Sequence, residues 1–475
     1  MLFPTPTFAI FFLVVLPLSW LLMPRQRLWL PFMLCASYVF YGWWNWRYVF
    51  LLAGSTVANQ VFAVAIYRSG REPVRRLLVA AAVAANLSVL GYFKYSGFFV
   101  SSLENALASL RIPVASSVVT AALPVGISFY TFMAISYVVD TYRGEFEPTS
   151  FRRFAVYLSF FPHLVAGPIV RARELVPQIA TPRDPRRVET SRAFQLILTG
   201  LFFKVVIANH LATHIVDDVF AAPDRHSSLE VLAAVYGYAV QIFADFYGYT
   251  NIAIGVALLL GFEFPQNFAA PYTAVSIQDF WRRWHMTLSR WLRDYVYIPL
   301  GGNRKGRLIT YRNLLLTMLL GGLWHGAAWT FVAWGGIHGL ALAVERLVGD
   351  VRHARGLPDP PDTALRRWAC RLLTFHVVCL AWIFFRADSF ARAADVIIRL
   401  FTAWGQASPL VTTSVVLAIV VGIASQYVPE GVVDAVTARF HRLRLIPQAA
   451  VVAVSLMLID TLGPAGVAPF IYYRF

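Results

Sequence analysis

Two histidines stand among tryptophans in parts of the chain where titratable side chains are unexpected. His325 lies in GGLWHGAAW, residues 321–329, one of the most apolar stretches, and His285 ends the stretch WRRWH, residues 281–285. An imidazole titrates near pH ~6.5 and can therefore accept and return a proton at neutral pH. An ionisable group inside an apolar segment is by default a functional-site hypothesis, although a membrane histidine can also simply hydrogen-bond between helices.

The composition indicates a chain that spends most of its length in a membrane. Hydrophobic residues make up 58% of the 475 residues and charged residues 14%, and the mean hydropathy is +0.60. These values differ from those of soluble globular proteins. Apolar stretches near the ~20 residues that cross a bilayer recur throughout the chain. They cover residues 7–23, 28–46, 48–66, 77–93, 118–139, 193–208, 230–260, 369–385, 410–428 and 448–463.

Lysine and arginine are distributed unevenly between the connections, and short loops rich in these residues stay in the cytoplasm. The first apolar stretch follows a start without positive charge, which predicts an uncleaved anchor with the N-terminus outside. The connections then predicted on the inner side hold 32 of the 41 Lys and Arg residues: 24–27, 67–76, 141–153, 171–192, 282–312, 346–371 and 430–447. This asymmetry explains the net charge of +16 without nucleic acid and places the C-terminus outside as well.

Two apolar regions do not fit as simple crossings. Residues 154–170 contain two prolines and a glycine between basic loops, which favours a re-entrant hairpin. Residues 313–345 also begin and end among inner charges. The stretch from Asn313 to His325 would form ~18 Å of helix, roughly half of a ~30 Å hydrocarbon core. His325 is therefore predicted near mid-membrane, where the glycines of GG and HG would loosen the helix.

The segment QDFWRRWHMTLSRWLRDYVYIPLGGNRKG, residues 278–306, has the pattern of an amphipathic helix followed by a flexible basic loop. At helical spacing, the apolar face carries Trp281, Trp284, His285, Leu288 and Leu292. The other face is mostly basic and carries Arg282, Arg283, Arg290 and Arg293. We expect this helix to lie at the inner interface, with its tryptophans in the boundary layer. A lipid-surface role would explain the arginines, but His285 lies on the buried face.

Long motifs spread over nearly the whole chain resemble those of the membrane-bound O-acyltransferase family. The first pair is FWRRWHMTLSRWLRDYVYIPLGGNRKG and, some twenty residues later, LLGGLWHGAAWTFVAWGGIHG. The others, in matching order, are the opening MLFPTPTFAIFFLVVLPLSWLL, LPVGISFYTFMAISYVVDTYRGE (123–145), FFPHLVAGPIVRA (160–172), FADFYGYTNIAIGVALLLGF (243–262) and AWIFFRADSFARA (381–393). The resemblance is to the bacterial branch typified by alginate O-acetyltransferase, with the D-alanyltransferases of teichoic acid as more distant members.

The resemblance implies an all-α polytopic membrane protein with about ten to twelve transmembrane helices, plus re-entrant or half helices, around a central tunnel. A single integral-membrane domain would cover residues 1–475, with the core motifs at about 123–345 and the C-terminal helices and tail at 369–475. The resemblance also implies that His325, in the WHG element, is the catalytic residue. His285, in the RRWH element, would be a second residue lining the reaction chamber.

The chemistry of this family suits an imidazole. A hydroxyl is a poor nucleophile, and a histidine can take its proton as the oxygen attacks a thioester carbonyl. We therefore predict that His325 is the general base and that His285 orients the donor or stabilises the developing oxyanion. The implied donor is cytoplasmic acetyl-CoA. The inner cations that could bind its phosphates are Arg282, Arg283, Arg304, Lys305 and Arg307.

No bound cofactor or metal is predicted. The sequence contains no P-loop, HExxH, GxSxG or HxxxxD pattern of the corresponding enzyme classes. The three cysteines, which lie in or beside apolar segments, indicate neither a disulfide framework nor a metal cluster. They are Cys35, Cys370 and Cys379.

The chain ends in PFIYYRF, residues 469–475, on the predicted outer side. Some members of this branch and their small partner peptides end in a similar aromatic motif with a central tyrosine. The resemblance implies that Tyr472 accepts the acyl group and hands it to an extracytoplasmic transferase resembling SGNH hydrolases, with a polysaccharide as final acceptor. The family more often has Phe at the position of Tyr473, so either tyrosine could serve. Alternatively, the tail is an aromatic belt that anchors the last helix at the bacterial inner membrane.

Other polar residues in apolar segments have simpler interpretations. His163, in the predicted re-entrant hairpin, could line the chamber, but structural packing is favoured. His338 is expected to pack or hydrogen-bond, and His376 could bond across helices. Asp245 is a carboxylate within an apolar segment, and its role stays open.

Two other functions are compatible with the sequence. A transporter of an acyl or polyphosphate-linked substrate would also use inner cations, broken helices and a membrane histidine, but no inverted repeat is visible. Within the enzyme class, the alternative is D-alanyl transfer from a carrier protein to a teichoic-acid-type polymer. The variant His325→Ala separates the classes, since a pure carrier should still move its substrate.

Overall fold

A computed structural model describes residues 1–110, 112, 122–358, 360–464 and 471 of the chain. Over these residues the protein is built from α-helices with short π- and 3-10 segments, and it contains no β-strand. The all-α prediction is therefore confirmed. Packing divides the chain into two compact units: Met1–Ala193 with Ala253–Pro265, and Phe194–Ile252 with Gln266–Phe475.

The first unit contains the N-terminal helices. The first of them begins after Thr5, whose side chain accepts a hydrogen bond from the N–H of Phe8, and Pro6 occupies the position where a missing N–H costs least. The helices are α1 (Pro6–Leu22), α2 (Gln26–Gly42), α3 (Arg47–Arg68), α4 (Glu72–Leu90), α5 (Ser96–Ser109), α6 (Ile127–Arg143), α7 (Phe151–Ser159), α8 (Phe161–Leu164) and α9 (Ala172–Ala180).

The second unit contains the remaining helices, and α10 and α13 each also contribute residues to the first unit. They are α10 (Thr190–Leu201), α11 (Asn209–Leu211), α12 (Asp217–Ala221), α13 (Ser228–Leu259), α14 (Ile277–Arg283), α15 (Met286–Leu292), α16 (Arg307–His325), α17 (Trp329–Ala354), α18 (Ala364–Arg386), α19 (Phe390–Thr402), α20 (Thr413–Ala424), α21 (Glu430–Arg442) and α22 (Leu445–Leu462). A π-helical segment, Phe202–Ala208, follows α10.

In the described part of the chain, seven helical stretches are long and apolar enough to cross a membrane, or up to eight if a bent pair counts as one span. They are Arg47–Arg68, Glu72–Ser109, Thr190–Ala221, Ser228–Leu259, Trp329–Ala354, Ala364–Arg386 and Leu445–Leu462. The sequence predicted ten to twelve. Part of the difference comes from α1, α2 and α6, which have 17 residues each. About 25 Å of helix is at the lower limit for a ~30 Å core.

The region predicted as a re-entrant hairpin is broken and buried within the first unit. Helix α7 has nine residues, about 14 Å of helix, which is too short to cross a bilayer. The helix stops at Phe160, and the four-residue α8 follows. All residues from 154 to 170 are buried. Irregular backbone at membrane depth requires such burial, so the structure agrees with the predicted break, while the depth in the membrane stays a prediction.

Helices α16 and α17 form the hairpin that carries His325. The chain breaks at Gly326–Ala328, immediately after His325, as the HG pair predicted. The prediction that the GG pair loosens the helix is wrong, because α16 runs through it without interruption. A Cβ added at Gly322 would lie 2.2 Å from the carbonyl oxygen of Phe331. This glycine therefore serves close packing of α16 against α17, not helix breaking.

The amphipathic segment is not one continuous helix, which corrects the prediction for residues 278–306. Helix α14 ends at Arg283 and α15 begins at Met286, with His285 between them in the left-handed region at φ 41°. The predicted apolar face is buried, but inside the protein: Trp281 is 9% and Trp284 1% exposed. The tryptophans therefore pack in the protein core of the second unit and do not occupy a lipid boundary layer.

Candidate active site

The structure brings the two predicted histidines together in the second unit. The ring centroids of His285 and His325 are 6.4 Å apart, and the ring planes are inclined by 59°. His285 is 0% and His325 is 2% exposed. Sequence separation alone could not show that the two rings share one site, and the fold now places them there.

His325 ends α16 inside an aromatic enclosure. Its ring centroid lies 4.9 Å from Trp334 of α17 and 5.3 Å from Phe385 of α18, both edge to face. The side chain of Trp324 covers another side at 5.0 Å. Because three elements meet at this ring, its position depends on the packing of α16, α17 and α18. Such an enclosure excludes water and strengthens electrostatic interactions at the imidazole.

His285 is held by Asn267, which lies in the loop between α13 and α14. The N–H of Met286 donates to the carbonyl oxygen of Asn267 at 2.9 Å, which secures the start of α15. The side-chain Oδ1 of Asn267 accepts from the N–H and from Oγ1 of Thr287, at 3.2 and 2.9 Å. The same oxygen lies 3.2 Å from Nδ1 of His285. Asn267 thus stabilises a left-handed histidine backbone, a strained conformation that is often found at functional sites.

These contacts determine the tautomer of His285. A backbone N–H can only donate, so the Asn267 atom facing Thr287 must be the amide oxygen. Nδ1 of His285 must therefore carry a hydrogen and donate to that oxygen. Burial lowers the pKa of His285 to about 3, so the ring is neutral near pH 7. In this tautomer Nε2 carries the lone pair, and no described residue hydrogen-bonds to it.

A cavity of about 480 Å³ lies beside this pair in the second unit. Trp281 lines it and contacts Trp334 with ring centroids 5.7 Å apart, and Trp334 in turn contacts His325. Two aromatic side chains, Trp281 and Trp334, therefore stand between the cavity and His325. Its basic lining residues are Arg282, Arg290 and Arg293. This combination of apolar walls and a few charged groups is typical of a small-molecule site.

The five cations predicted to bind phosphate are placed differently by the structure. Arg282 lines the cavity and forms no ion pair with any described residue. Arg283 forms an ion pair with Asp279 at 2.8 Å and stands at the end of α14. Arg304, Lys305 and Arg307 are exposed and are not among the cavity-lining residues. Of the five, Arg282 lines the cavity, together with Arg290, which the sequence assigned to the basic face alone.

The remaining histidines have structural surroundings. His163, in the first unit, hydrogen-bonds to the carbonyl oxygen of Tyr157 and stacks on Phe264 at 5.4 Å, as expected for packing. His338 packs between Phe280, Trp281 and Trp334. His376 bonds across helices, because its Nε2 lies 2.8 Å from Oη of Tyr236 on α13. Tyr472 and Tyr473 lie outside the described residues.

Two functional candidates escaped the sequence reasoning. Asn267 lies in an irregular loop 18 residues before His285, and no periodic pattern marks it. Lys204 ends in a buried contact with Asp245, a pairing between helices that only the fold reveals. Among the described residues, no group of three or more His, Cys, Asp or Glu side chains could hold a metal ion.

Helices of membrane-spanning length, a broken hairpin and two buried, adjacent imidazoles define a multi-pass membrane protein with a histidine site in its interior. A sequence model of the membrane-bound O-acyltransferase family matches residues 116–386. A probable alginate O-acetylase of Pseudomonas putida is 41% identical over 408 residues, covering 85% of this chain and 80% of the relative. The chain therefore belongs to the membrane-bound O-acyltransferase family and is an O-acyltransferase.

Two further relatives differ in what their names say they act on. The peptidoglycan O-acetyltransferase of Helicobacter pylori is 37% identical over 431 residues, covering 84% of this chain and 79% of the relative. The teichoic acid D-alanyltransferase of Bacillus subtilis is 30% identical over 285 residues, covering 56% and 69%. Because the family consists of acyltransferases, the assignment supports the enzyme and not the transporter alternative.

Proposed function

We propose that the protein moves an acetyl group from cytoplasmic acetyl-CoA across the bacterial inner membrane toward an extracytoplasmic polysaccharide. The observation that carries this proposal is the pair of buried imidazole rings, 6.4 Å apart, in an aromatic enclosure. The names of the relatives support acetyl as the transferred group, since both the alginate and the peptidoglycan relatives are named as O-acetylating enzymes. The arginine asymmetry supports the orientation, with both termini outside.

His325 acts as the general base in this proposal. It takes the proton of the attacking hydroxyl as the oxygen forms a bond to the thioester carbonyl carbon. The carbon–sulfur bond then breaks, and the leaving thiolate receives the proton from the imidazolium, so that CoA leaves as the free thiol. One imidazole thus serves as base and then as acid, and an ester replaces the thioester.

The tautomer of His285 suggests a narrower role than the sequence predicted. Its Nδ1 hydrogen is directed to Asn267, so the neutral ring has no hydrogen on Nε2 to offer a developing oxyanion. Nε2 can accept a hydrogen bond instead. We therefore assign His285 the orientation of the donor: Nε2 can accept a hydrogen bond from an amide N–H of acetyl-CoA, while His325 removes the proton of the attacking hydroxyl.

The variant Asn267→Asp tests this assignment through pH dependence. Aspartate keeps acceptor oxygens for Thr287 and His285, but its negative charge favours the protonated imidazole and raises the pKa of His285 from about 3. Because only the neutral ring accepts a hydrogen bond, the acid limb of the rate profile should move toward neutral pH, with the rate at pH 8 affected least. Rates measured between pH 5 and 9 check this. If the acid limbs of the wild type and the variant coincide, the reaction does not require the lone pair on Nε2 of His285.

We further propose a relay, in which the acetyl group is first transferred to a tyrosine of the C-terminal tail and then to a partner. Tyr472 or Tyr473 supplies the first hydroxyl, and the tyrosyl ester passes its acetyl group to an extracytoplasmic partner resembling SGNH hydrolases. That partner then acetylates the polysaccharide. The relay rests on the resemblance of the last seven residues, PFIYYRF, to the tail motif of this branch.

Arg282 is proposed to bind the phosphates of the donor, because it lines the cavity next to the histidine pair and has no ion pair with a described residue. Arg282→Ala should raise the half-saturating acetyl-CoA concentration about tenfold, with little change in the maximal rate, since the lost contact lies away from the reacting atoms. Arg355→Ala, an exposed arginine of another inner connection, should leave both quantities unchanged. An equal effect of the two variants would indicate a general electrostatic effect and not a binding contact.

The function is tested with the purified protein in lipid nanodiscs. Protein in excess over acetyl-CoA is mixed with the donor, and free CoA is measured with a thiol reagent in a single turnover. We expect release of CoA in proportion to acetyl-CoA consumed. A protein that leaves acetyl-CoA intact, also when the extracytoplasmic partner is added, but cleaves a D-alanyl carrier thioester would overturn the acetyl assignment in favour of D-alanyl transfer.

A further inference from the structure

A buried charged pair joins two helical segments of the second unit. Nζ of Lys204 donates a hydrogen bond to Oδ1 of Asp245, and the two side chains are 2% and 4% exposed. The other carboxylate oxygen, Oδ2, accepts a hydrogen bond from the backbone N–H of Ile471 at 2.8 Å. Ile471 is itself only 5% exposed. The carboxylate therefore binds a side chain and a distant backbone segment at once.

Two glycines bring the pair together. A Cβ at Gly200 would lie 2.5 Å from the carbonyl oxygen of Gly248, and a Cβ at Gly248 would lie 3.0 Å from the backbone nitrogen of Lys204. Small residues at such a crossing let two helix backbones approach closely. Lys204 also belongs to the π-helical segment Phe202–Ala208, a distortion that frequently occurs at functional sites. The approach of α10 to α13 is therefore built to place Lys204 against Asp245.

The end of the chain contacts both helical segments that carry the pair. Helix α22 ends at Leu462, and a Cβ at the following Gly463 would lie 2.5 Å from Cγ1 of Val205, the neighbour of Lys204. A few residues later, Ile471 is bound by the partner of Lys204. Gly463 and Ile471 therefore both lie next to the Lys204–Asp245 pair.

A charged pair is a costly way to join two helices. Removing two charges from water requires a large desolvation free energy, and apolar residues of similar volume often replace a buried pair without loss of stability. The carboxylate of Asp245, however, also satisfies a backbone N–H that an apolar side chain could not satisfy. The bond to Ile471 gives the pair a purpose besides stability.

Helix α13, which binds Ile471, also contacts the histidine site. Phe246 follows Asp245, and its ring packs edge to face on His285 with centroids 4.6 Å apart. Tyr472 follows Ile471, and consecutive Cα atoms are about 3.8 Å apart. Ile471 is therefore bound to α13, the same helix that packs on His285.

We propose that the Lys204–Asp245 pair is the docking site of the C-terminal segment and a positioning element for acyl transfer, because it fixes Ile471 immediately before the two tail tyrosines. Lys204 orients the carboxylate, and Asp245 holds the backbone N–H of Ile471. This inference rests on the tyrosine relay of the proposed function. Neither residue of the pair touches the reacting atoms.

The variant Ile471→Pro tests the docking directly. Proline has no backbone N–H, so it removes the donor to Asp245 and leaves the Lys204–Asp245 pair intact. The single-turnover rate constant for CoA release should fall about tenfold or more, the scale of a lost hydrogen bond to a charged group, while the half-saturating acetyl-CoA concentration stays the same. Ile471→Val keeps the N–H and a similar side chain, and it should behave like the wild type.

A second variant tests the docking by a measurement that does not depend on the acyl-transfer reaction. Lys204→Met combined with Asp245→Leu replaces the pair by apolar side chains and is expected to fold. Hydrogen–deuterium exchange of a peptide from the end of α22 to the C-terminus should become faster in this variant, because the segment has lost its anchor. Peptides from α16 and α17 serve as the internal control and should exchange at the wild-type rate.

The two experiments separate the inference from the function on which it rests. Unchanged exchange of the C-terminal peptide would overturn the docking site whatever the enzyme does. Equal rates in Ile471→Pro and the wild type would overturn the positioning role. A wild-type protein that releases no CoA would instead contradict the proposed function, and the exchange experiment would still decide whether the pair holds the tail.

Discussion

Replacing His325 by alanine is expected to lower the rate of CoA release from acetyl-CoA by about three orders of magnitude, because general acid–base catalysis contributes roughly 10²–10⁴ in rate. The imidazole lies 2% exposed at the end of α16, with edge-to-face contacts from Trp334 and Phe385. In the proposed mechanism this ring takes the proton of the attacking hydroxyl, so the variant lacks the base. Single-turnover rates in nanodiscs measure the effect.

The control for this variant is His353→Ala, an exposed histidine at the end of α17, which should keep the wild-type rate. Because removing the ring also leaves a void among aromatic side chains, the thermal unfolding of His325→Ala must be measured beside its rate. A folded His325→Ala protein with a rate within about tenfold of the wild type would show that His325 is not the base.

Replacing Gly335 by alanine should have the second largest effect, although this residue is not a catalytic group. A Cβ there would lie 2.3 Å from the carbonyl oxygen of Met318, so α16 and α17 must move apart. Overpacking of this kind costs about 1–3 kcal/mol, which should lower the apparent Tm by several degrees. The shift displaces His325 at the end of α16, and a displacement near ~1 Å can cost about 100-fold in rate.

The neighbouring glycine provides the matched control. A Cβ at Gly336 would meet Cδ2 of Leu319 at 3.8 Å, an ordinary contact. Gly336→Ala should therefore keep the rate, and its apparent Tm should stay or rise slightly, because alanine favours a helix by about 1 kcal/mol over glycine. Equal losses in the two variants would contradict the close packing of α16 against α17 as the reason for the effect.

Several features of the fold could be predicted from the sequence because they depend on local patterns. Apolar stretches of membrane length predict helices, and prolines and glycines between basic loops predict the broken segment at residues 154–170. The break after His325 follows from the adjacent glycine. These signals involve residues close in the chain, so no knowledge of the tertiary structure is needed to interpret them.

The geometry of the site could not be predicted, because distant residues determine it. Helical periodicity continues through residues 278–300, and it predicted one amphipathic helix. Asn267 overrides that preference by binding the Met286 and Thr287 backbones, which turns His285 into the left-handed region. Tertiary hydrogen bonds of this kind outweigh a weak local propensity. The same contacts set the tautomer of His285, which no sequence pattern encodes.

The partner of Asp245 was equally hidden from the sequence. Lys204 and Asp245 are 41 residues apart, and each lies within an apolar stretch where a single charge suggests a site without naming its partner. The close approach at Gly200 and Gly248 decides the pairing. Glycines in membrane helices are common, so only the packed structure distinguishes a crossing point from an ordinary small residue.

In the proposed function an acetyl group passes from CoA to the protein at the His325 site. The most direct test is peptide mass spectrometry of the purified protein after incubation with acetyl-CoA, comparing the wild type with His325→Ala. We expect an added acetyl group on Tyr472 or Tyr473 in the wild type and none in the variant. A wild-type tail without acetyl, under conditions in which CoA is released, would contradict the relay, and equal labelling of both proteins would contradict the role of His325.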